Sequence, residues 1–139
     1  GFGMNTADVF SDVLLFASFL QPGEVENRTY EQVSNLDQLK SVIEEYLDDY
    51  NAAFPVPMPL VMFSDACEHC VRICRVLQQP SGNALLLGVG GSGRQSLTRL
   101  SSYMCDFECF QIEIAKGYGM TEFKEDVKQC LMRCGIDDK

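Results

Sequence analysis

The chain has little histidine, little positive charge and no long apolar run, and each shortage removes a class of function. With one histidine, His69, any Ser-His-Asp or Cys-His nucleophile system would hang on that side chain, and no base or orienting carboxylate is placed around it. Eleven basic residues face twenty acidic ones, and residues 1 to 60 hold two basic and ten acidic side chains. Such a surface repels phosphate backbones and anionic lipid, so neither nucleic acid nor a membrane is an expected partner. The longest apolar runs, Val13 to Ala17 and Ala84 to Leu87, fall far short of the ~20 residues of a spanning helix. A Gly-Phe-Gly-Met start lacks the basic stretch of a secretory signal, and residues 1 to 4 are left out of the fold reading. Internal repeats and low-complexity tracts are missing too.

What is present is an ordinary globular composition, 46% hydrophobic and 22% charged, with seven cysteines read as reduced thiols. Cys67, Cys70 and Cys74 have a spacing seen in zinc sites, but on a helix they share one face while His69 points the other way, which favours a buried thiol face. Cys130 and Cys134, one turn apart, are expected to be buried likewise. The acidic run Glu44, Glu45, Asp48, Asp49 reads as a solvated helix face.

Residues 8 to 20 fit either a helix or an extended packing segment, and Glu24 to Tyr30 a loop leading into short extended structure. A helix is predicted from Asn35, a cap with Gln38 as its capping-box partner, to about Ala52, with Leu36, Leu39, Ile43, Tyr46, Leu47 and Tyr50 on its apolar face. Pro55, Pro57 and Pro59 forbid helix and mark an internal boundary. Leu60 to Phe63 reads as a short strand, and Ser64 as the cap of a helix over 65 to 79. Then come a strand at Ala84 to Leu87, a glycine-rich turn, a helix through Leu97, Leu100 and Met104, a strand within Phe107 to Ala115, and a last helix capped by Thr121 and ended by Gly135. Strand, helix, strand, helix implies an α/β fold with a short parallel sheet flanked by helices.

The turn Gly88-Val89-Gly90-Gly91-Ser92-Gly93-Arg94-Gln95-Ser96 lies between strand and helix. Its glycines allow amide groups to converge, and the helix start adds a positive dipole end, so phosphate oxygens meet ready donors. Against G-x-x-x-x-G-K-[ST], Gly88 and Gly93 match, while Arg94 replaces lysine and Gln95 replaces the hydroxyl that binds Mg²⁺. Ser96, or the Gln95 amide oxygen, is the candidate Mg²⁺ ligand. Binding is thus better supported than hydrolysis. A dinucleotide turn on Gly88, Gly90 and Gly93 with Glu113 as its acidic partner leaves Arg94, Gln95 and Ser96 without a role. A turn with no ligand is the other alternative. Lys116-Gly-Tyr-Gly, at a strand's carboxyl end, is a candidate ligand contact or a plain loop.

The stretch LLLGVGGSGRQSLTRL, residues 85 to 100, resembles the phosphate-binding loop of the fourth AAA+ module of axonemal dynein heavy chains. LVMFSDACEHCVRICRVLQQPSGNA, FQIEIAKGYGMTEFKEDVK and YEQVSNLDQLKSVIEEYLDDYNA are similar to flanking parts of that module. The resemblance implies a helical region over 5–56 and, over 57–139, a partial AAA+ P-loop core without its Walker B strand. It implies ATP or ADP, with Mg²⁺, in a cradle from Gly88 to Ser96, and Leu60, Val61 and Phe63 beside the adenine. It further implies a mainly regulatory site, neighbouring AAA+ modules as partners, microtubules reached only through other parts of the parent, and an axonemal, cytoskeletal location. Without a general base the chain alone is not expected to hydrolyse ATP. An unrelated P-loop NTPase or kinase fragment, or a non-binding interaction piece, are the competing readings.

Overall fold

The computed structural model describes residues 14–21 and 28–136, in two compact units, the first ending at Asp106 and the second beginning at Phe107. Residues 8–13 of the first predicted segment, and 24–27 of the predicted loop, lie outside the described residues.

In the first unit, β1 (Phe16–Ala17) pairs antiparallel with β2 (Glu31–Gln32), Phe16 opposite Gln32 and Ala17 opposite Glu31. Leu15, Ala17 and Phe19 are buried, an alternation that belongs to extended chain, not to a helix. This decides between the two readings of residues 14 to 20. Phe16 stacks on Tyr30 with centroids 5.7 Å apart.

Helix α1 (Leu36–Ala53) starts where Asn35 accepts bonds from the amides of Asp37 and Gln38, at 2.8 and 3.3 Å. Of the predicted capping box the Asn35 half forms. Leu39, Ile43 and Leu47 are buried and Tyr46 and Tyr50 partly so, whereas Leu36 is exposed. Glu44, Glu45, Asp48 and Asp49 are exposed, as expected of a solvated face. Pro55 stops the helix, and the Phe54 amide bonds back to the Tyr50 carbonyl.

Leu60 to Phe63 does not form the predicted strand. The Met58 amide donates to Asn51 Oδ1 at 2.7 Å and the Leu60 amide to the Met58 carbonyl at 2.9 Å. Backbone groups satisfied within a tight local turn have no call for a ladder partner. Met58 and Met62 anchor the segment in the core.

Helix α2 (Ser64–Leu77) begins one residue before the predicted start, with Phe63 as its cap residue, so Ser64 is the first helical residue and not the cap. Ala66, Cys67, Cys70, Val71, Ile73 and Cys74 are buried, the thiol face that the spacing predicts. Helix α3 (Arg94–Met104) answers with Leu97, Leu100, Ser101, Ser102 and Met104. Burying an aliphatic side chain of this size stabilises by roughly 1.5–3 kcal/mol. The fully buried Ser101 hydroxyl faces Cys70 Sγ at 3.4 Å, and Cys74 Sγ donates to the Ser101 carbonyl at 3.8 Å. Tyr103 meets Tyr50 edge-on at 5.4 Å, joining α3 to α1. Arg28 donates to the Met104 carbonyl at 2.6 Å and lies 5.8 Å over the Tyr46 ring, serving one of the carbonyls left open at a helix end.

In the second unit, α4 (Met120–Ile136) is preceded by Gly119, whose amide donates to Glu122 Oε2 at 2.8 Å and whose carbonyl accepts from Phe123. Gly119 therefore occupies the cap position predicted for Thr121, because Glu122 reaches back over three residues as a capping carboxylate does. Gly135 lies inside the helix rather than ending it. Cys134 is exposed and Cys130 half-buried, correcting the expected buried pair. Periodicity marked the face of the helix, on which Val127 and Cys130 are half-covered while Cys134, one turn on, stands exposed.

The predicted strands at Ala84–Leu87 and within Phe107–Ala115 carry no ladder. Among the described residues the sheet is the antiparallel β1-β2 pair, and the predicted parallel sheet does not form. A parallel strand exists only against a neighbouring strand, and among the described residues neither segment has a ladder partner.

Candidate functional site

Residues 88–93 leave regular structure altogether and deliver the chain into α3. The Ser92 amide bonds the Val89 carbonyl at 3.3 Å, and Gly91 and Gly93 stand in the left-handed region at φ 78° and 73°. Gly93 is the cap residue of α3 and offers no side-chain acceptor. The first intrahelical bond runs from Leu97 to the Gly93 carbonyl, 2.8 Å. The amides of Arg94, Gln95 and Ser96 thus sit at the positive end of an eleven-residue helix without helix partners, the arrangement that receives anions.

Of the residues singled out in the sequence, Leu60, Gly88, Ser92, Gly93 and Arg94 come together. A Cβ on Gly88 would lie 2.8 Å from Ser92 Oγ and 3.4 Å from Arg94 Cδ; one on Gly93 would lie 3.7 Å from Leu60 Cδ1. Val89 is exposed, and nothing lies within 4 Å of a Cβ built on Gly90 or Gly91. The outer side of the turn is open. Val61 and Phe63 are exposed, Gln95 is exposed and Ser96 half-buried. One contact had no sequence signal: Arg94 Nη2 donates to the Val89 carbonyl at 3.2 Å, folding the guanidinium back across the turn. Arginine at this position suggests a charge, not a tie.

The remaining candidates resolve differently. His69 is exposed, and Cys67, Cys70 and Cys74 are free and buried. Burial, then the neighbouring Cys70, pushes the Cys67 thiol up; bonds from Cys74 to Cys105 and Cys70, then burial, push Cys74 up. Cys67 and Cys74, held protonated and buried, are unreactive, whereas the bond from Cys74, outweighing burial, draws the buried Cys70 thiol down. Among the described residues no group of three or more His, Cys, Asp or Glu is placed to hold a metal. In the Lys116-Gly-Tyr-Gly loop, Tyr118 donates to Asp126 Oδ2 at 2.6 Å, and that bond raises the phenol to about 12; Lys116 is exposed.

Residues 58–139 match the family described as the P-loop containing dynein motor region D4. The chain is 50% identical over 125 residues to dynein axonemal heavy chain 1 of Mus musculus, which covers 90% of this chain and 3% of that protein. It is 42% identical over 127 residues to dynein axonemal heavy chain 6 of Homo sapiens, covering 91% of this chain and 3% of that protein. The chain therefore spans a small fraction of these relatives. Because the family match takes in more than half of its residues, the chain belongs to the dynein heavy chain motor family.

Proposed function

We propose that this chain is a nucleotide-binding, regulatory piece of an axonemal dynein heavy chain, corresponding to part of its fourth AAA+ module, with Gly88 to Ser96 cradling the phosphates of ATP or ADP. The observation that carries the reading is the entry into α3: two left-handed glycines, Gly91 and Gly93, lead directly to three unpartnered helix amides. Leu60, against Gly93, then forms the apolar floor near the base, with Val61 and Phe63 presented beside it. In the larger protein, residues 84–87 and 107–115 become strands of a parallel sheet. The partners are neighbouring AAA+ modules of the same heavy chain; microtubules are engaged through other parts of it, in the axoneme.

The role is binding rather than turnover. Phosphoryl transfer to water needs a residue that orients the water and a clamp on the developing charge, and among the described residues neither has a candidate around the turn. Equilibrium titration with fluorescently labelled ADP tests the reading. Saturable binding that weakens at least tenfold in Gly93→Val is expected; no response to ADP or ATP would leave a protein-contact role instead.

A further inference from the structure

The donor set of this turn does not fit Mg²⁺. That ion takes hard oxygen ligands in near-ideal octahedral geometry, and a phosphate-binding loop supplies one through the hydroxyl that follows its basic residue. Here that position is Gln95, an exposed side chain whose oxygen is a neutral amide at the end of a longer, rotatable stem. Ser96 does not replace it. One residue further along a helix turns a side chain by about 100°, so its hydroxyl, half-buried on α3, belongs to an adjacent face. Residues 81 to 105 contain no aspartate or glutamate, so no carboxylate from this stretch can hold the ion either.

The positive charge comes from another source. Arg94 is tied across the turn by its bond to the Val89 carbonyl at 3.2 Å, with Cδ packed over Gly88. That bond uses one of five guanidinium donors. The remaining donors are free to pair with two phosphate oxygens at once, where a lysine ammonium would act as a single point charge. Resting on the nucleotide reading above, we propose that this site takes a metal-free nucleoside diphosphate, held by the amides of residues 94–96 and the Arg94 guanidinium, with an affinity indifferent to Mg²⁺.

The test is equilibrium binding of labelled ADP to the full 139-residue chain in Mg²⁺ and in EDTA, for the wild type, Gln95→Thr and Arg94→Ala. The wild-type Kd should agree within about twofold between the two solutions, whereas Gln95→Thr, which restores the hydroxyl, should tighten about tenfold in Mg²⁺ alone. Arg94→Ala should weaken binding equally in both. A wild-type Kd that rises about tenfold in EDTA overturns the inference while leaving the nucleotide reading in place. So does a Gln95→Thr protein that stays indifferent to Mg²⁺. No binding in either solution defeats the nucleotide reading itself, and the inference with it. Far-UV circular dichroism confirms that each variant is folded, and Gln95→Ser replaces Gln95→Thr if the latter is not.

Discussion

Gly93 stands at φ 73°, ψ 4°, where a Cβ crowds the following carbonyl oxygen at roughly 1–2 kcal/mol. A branched side chain adds further conflict at χ1. Crowding from outside is a minor part of this, since the nearest foreign atom to a built Cβ is Leu60 Cδ1 at 3.7 Å, an ordinary contact. Gly93→Val is therefore expected to lose about 1–2 kcal/mol in urea denaturation through the backbone alone. Gly90 is the control: its φ is not left-handed and a Cβ there meets nothing within 4 Å. Gly90→Ala should stay within about 0.5 kcal/mol of the parent. Equal losses in the two variants would show that the turn does not hold this backbone in solution. At this scale the sequence was informative about which residues are glycine and silent about which of them need to be. Only the left-handed angles separate Gly91 and Gly93 from Gly90.

At the scale of elements, α2 and α3 depend on each other. Leu100 is fully buried in the same core as Cys70 and Cys74, so Leu100→Ala removes apolar contact and leaves a cavity, expected to cost about 2–5 kcal/mol in chemical denaturation. In the second unit, bonds from its own amide and from that of Gly119 hold the Glu122 carboxyl below its usual 4.5. A depressed carboxylate supports the helix start above its unfolded value and loses that support as pH falls through the lower folded value. The Gly119 amide proton resonance should follow this titration below pH 4.5 and become flat in Glu122→Gln; an unchanged titration in the variant would refute the cap. The helices were legible from the sequence because their hydrogen bonds are local: Asn35 capping α1, Leu39, Ile43 and Leu47 along one face, Pro55 ending it. The strands predicted at Leu60–Phe63 and Ala84–Leu87 were not, since an apolar run says nothing of the partner it needs. In the first case Asn51 and the Met58 carbonyl took the backbone bonds instead. Whether Cys130 and Cys134 are covered depends on chain elsewhere, which helical spacing cannot report. The glycine-rich turn lay between these extremes, its glycines and helix start written locally and the Arg94 tie to Val89 a matter of three-dimensional reach.

Over the whole molecule, two opposing features decide how the chain behaves in solution. It carries a net charge of −9, much of it on the first sixty residues and visible in the exposed row Glu44, Glu45, Asp48 and Asp49 on α1, which keeps copies apart. Against this, Leu85, Leu87 and Val89 are 85%, 83% and 80% exposed while Leu86 between them packs on the core. An alternating apolar row with one side uncovered is a surface that seeks a partner. Repulsion between copies reaches about 10 Å at 0.1 M salt but only about 3 Å at 1 M, whereas apolar attraction does not weaken with salt. The isolated chain should accordingly sediment as a monomer at low ionic strength and associate as salt is raised, without gross unfolding. Replacing both Leu85 and Leu87 by lysine should abolish that association, because charge on the uncovered row opposes pairing at any register. Association that persists in the double variant would place the adhesive surface elsewhere, with the exposed Leu131 and Met132 of α4 as the next residues to replace.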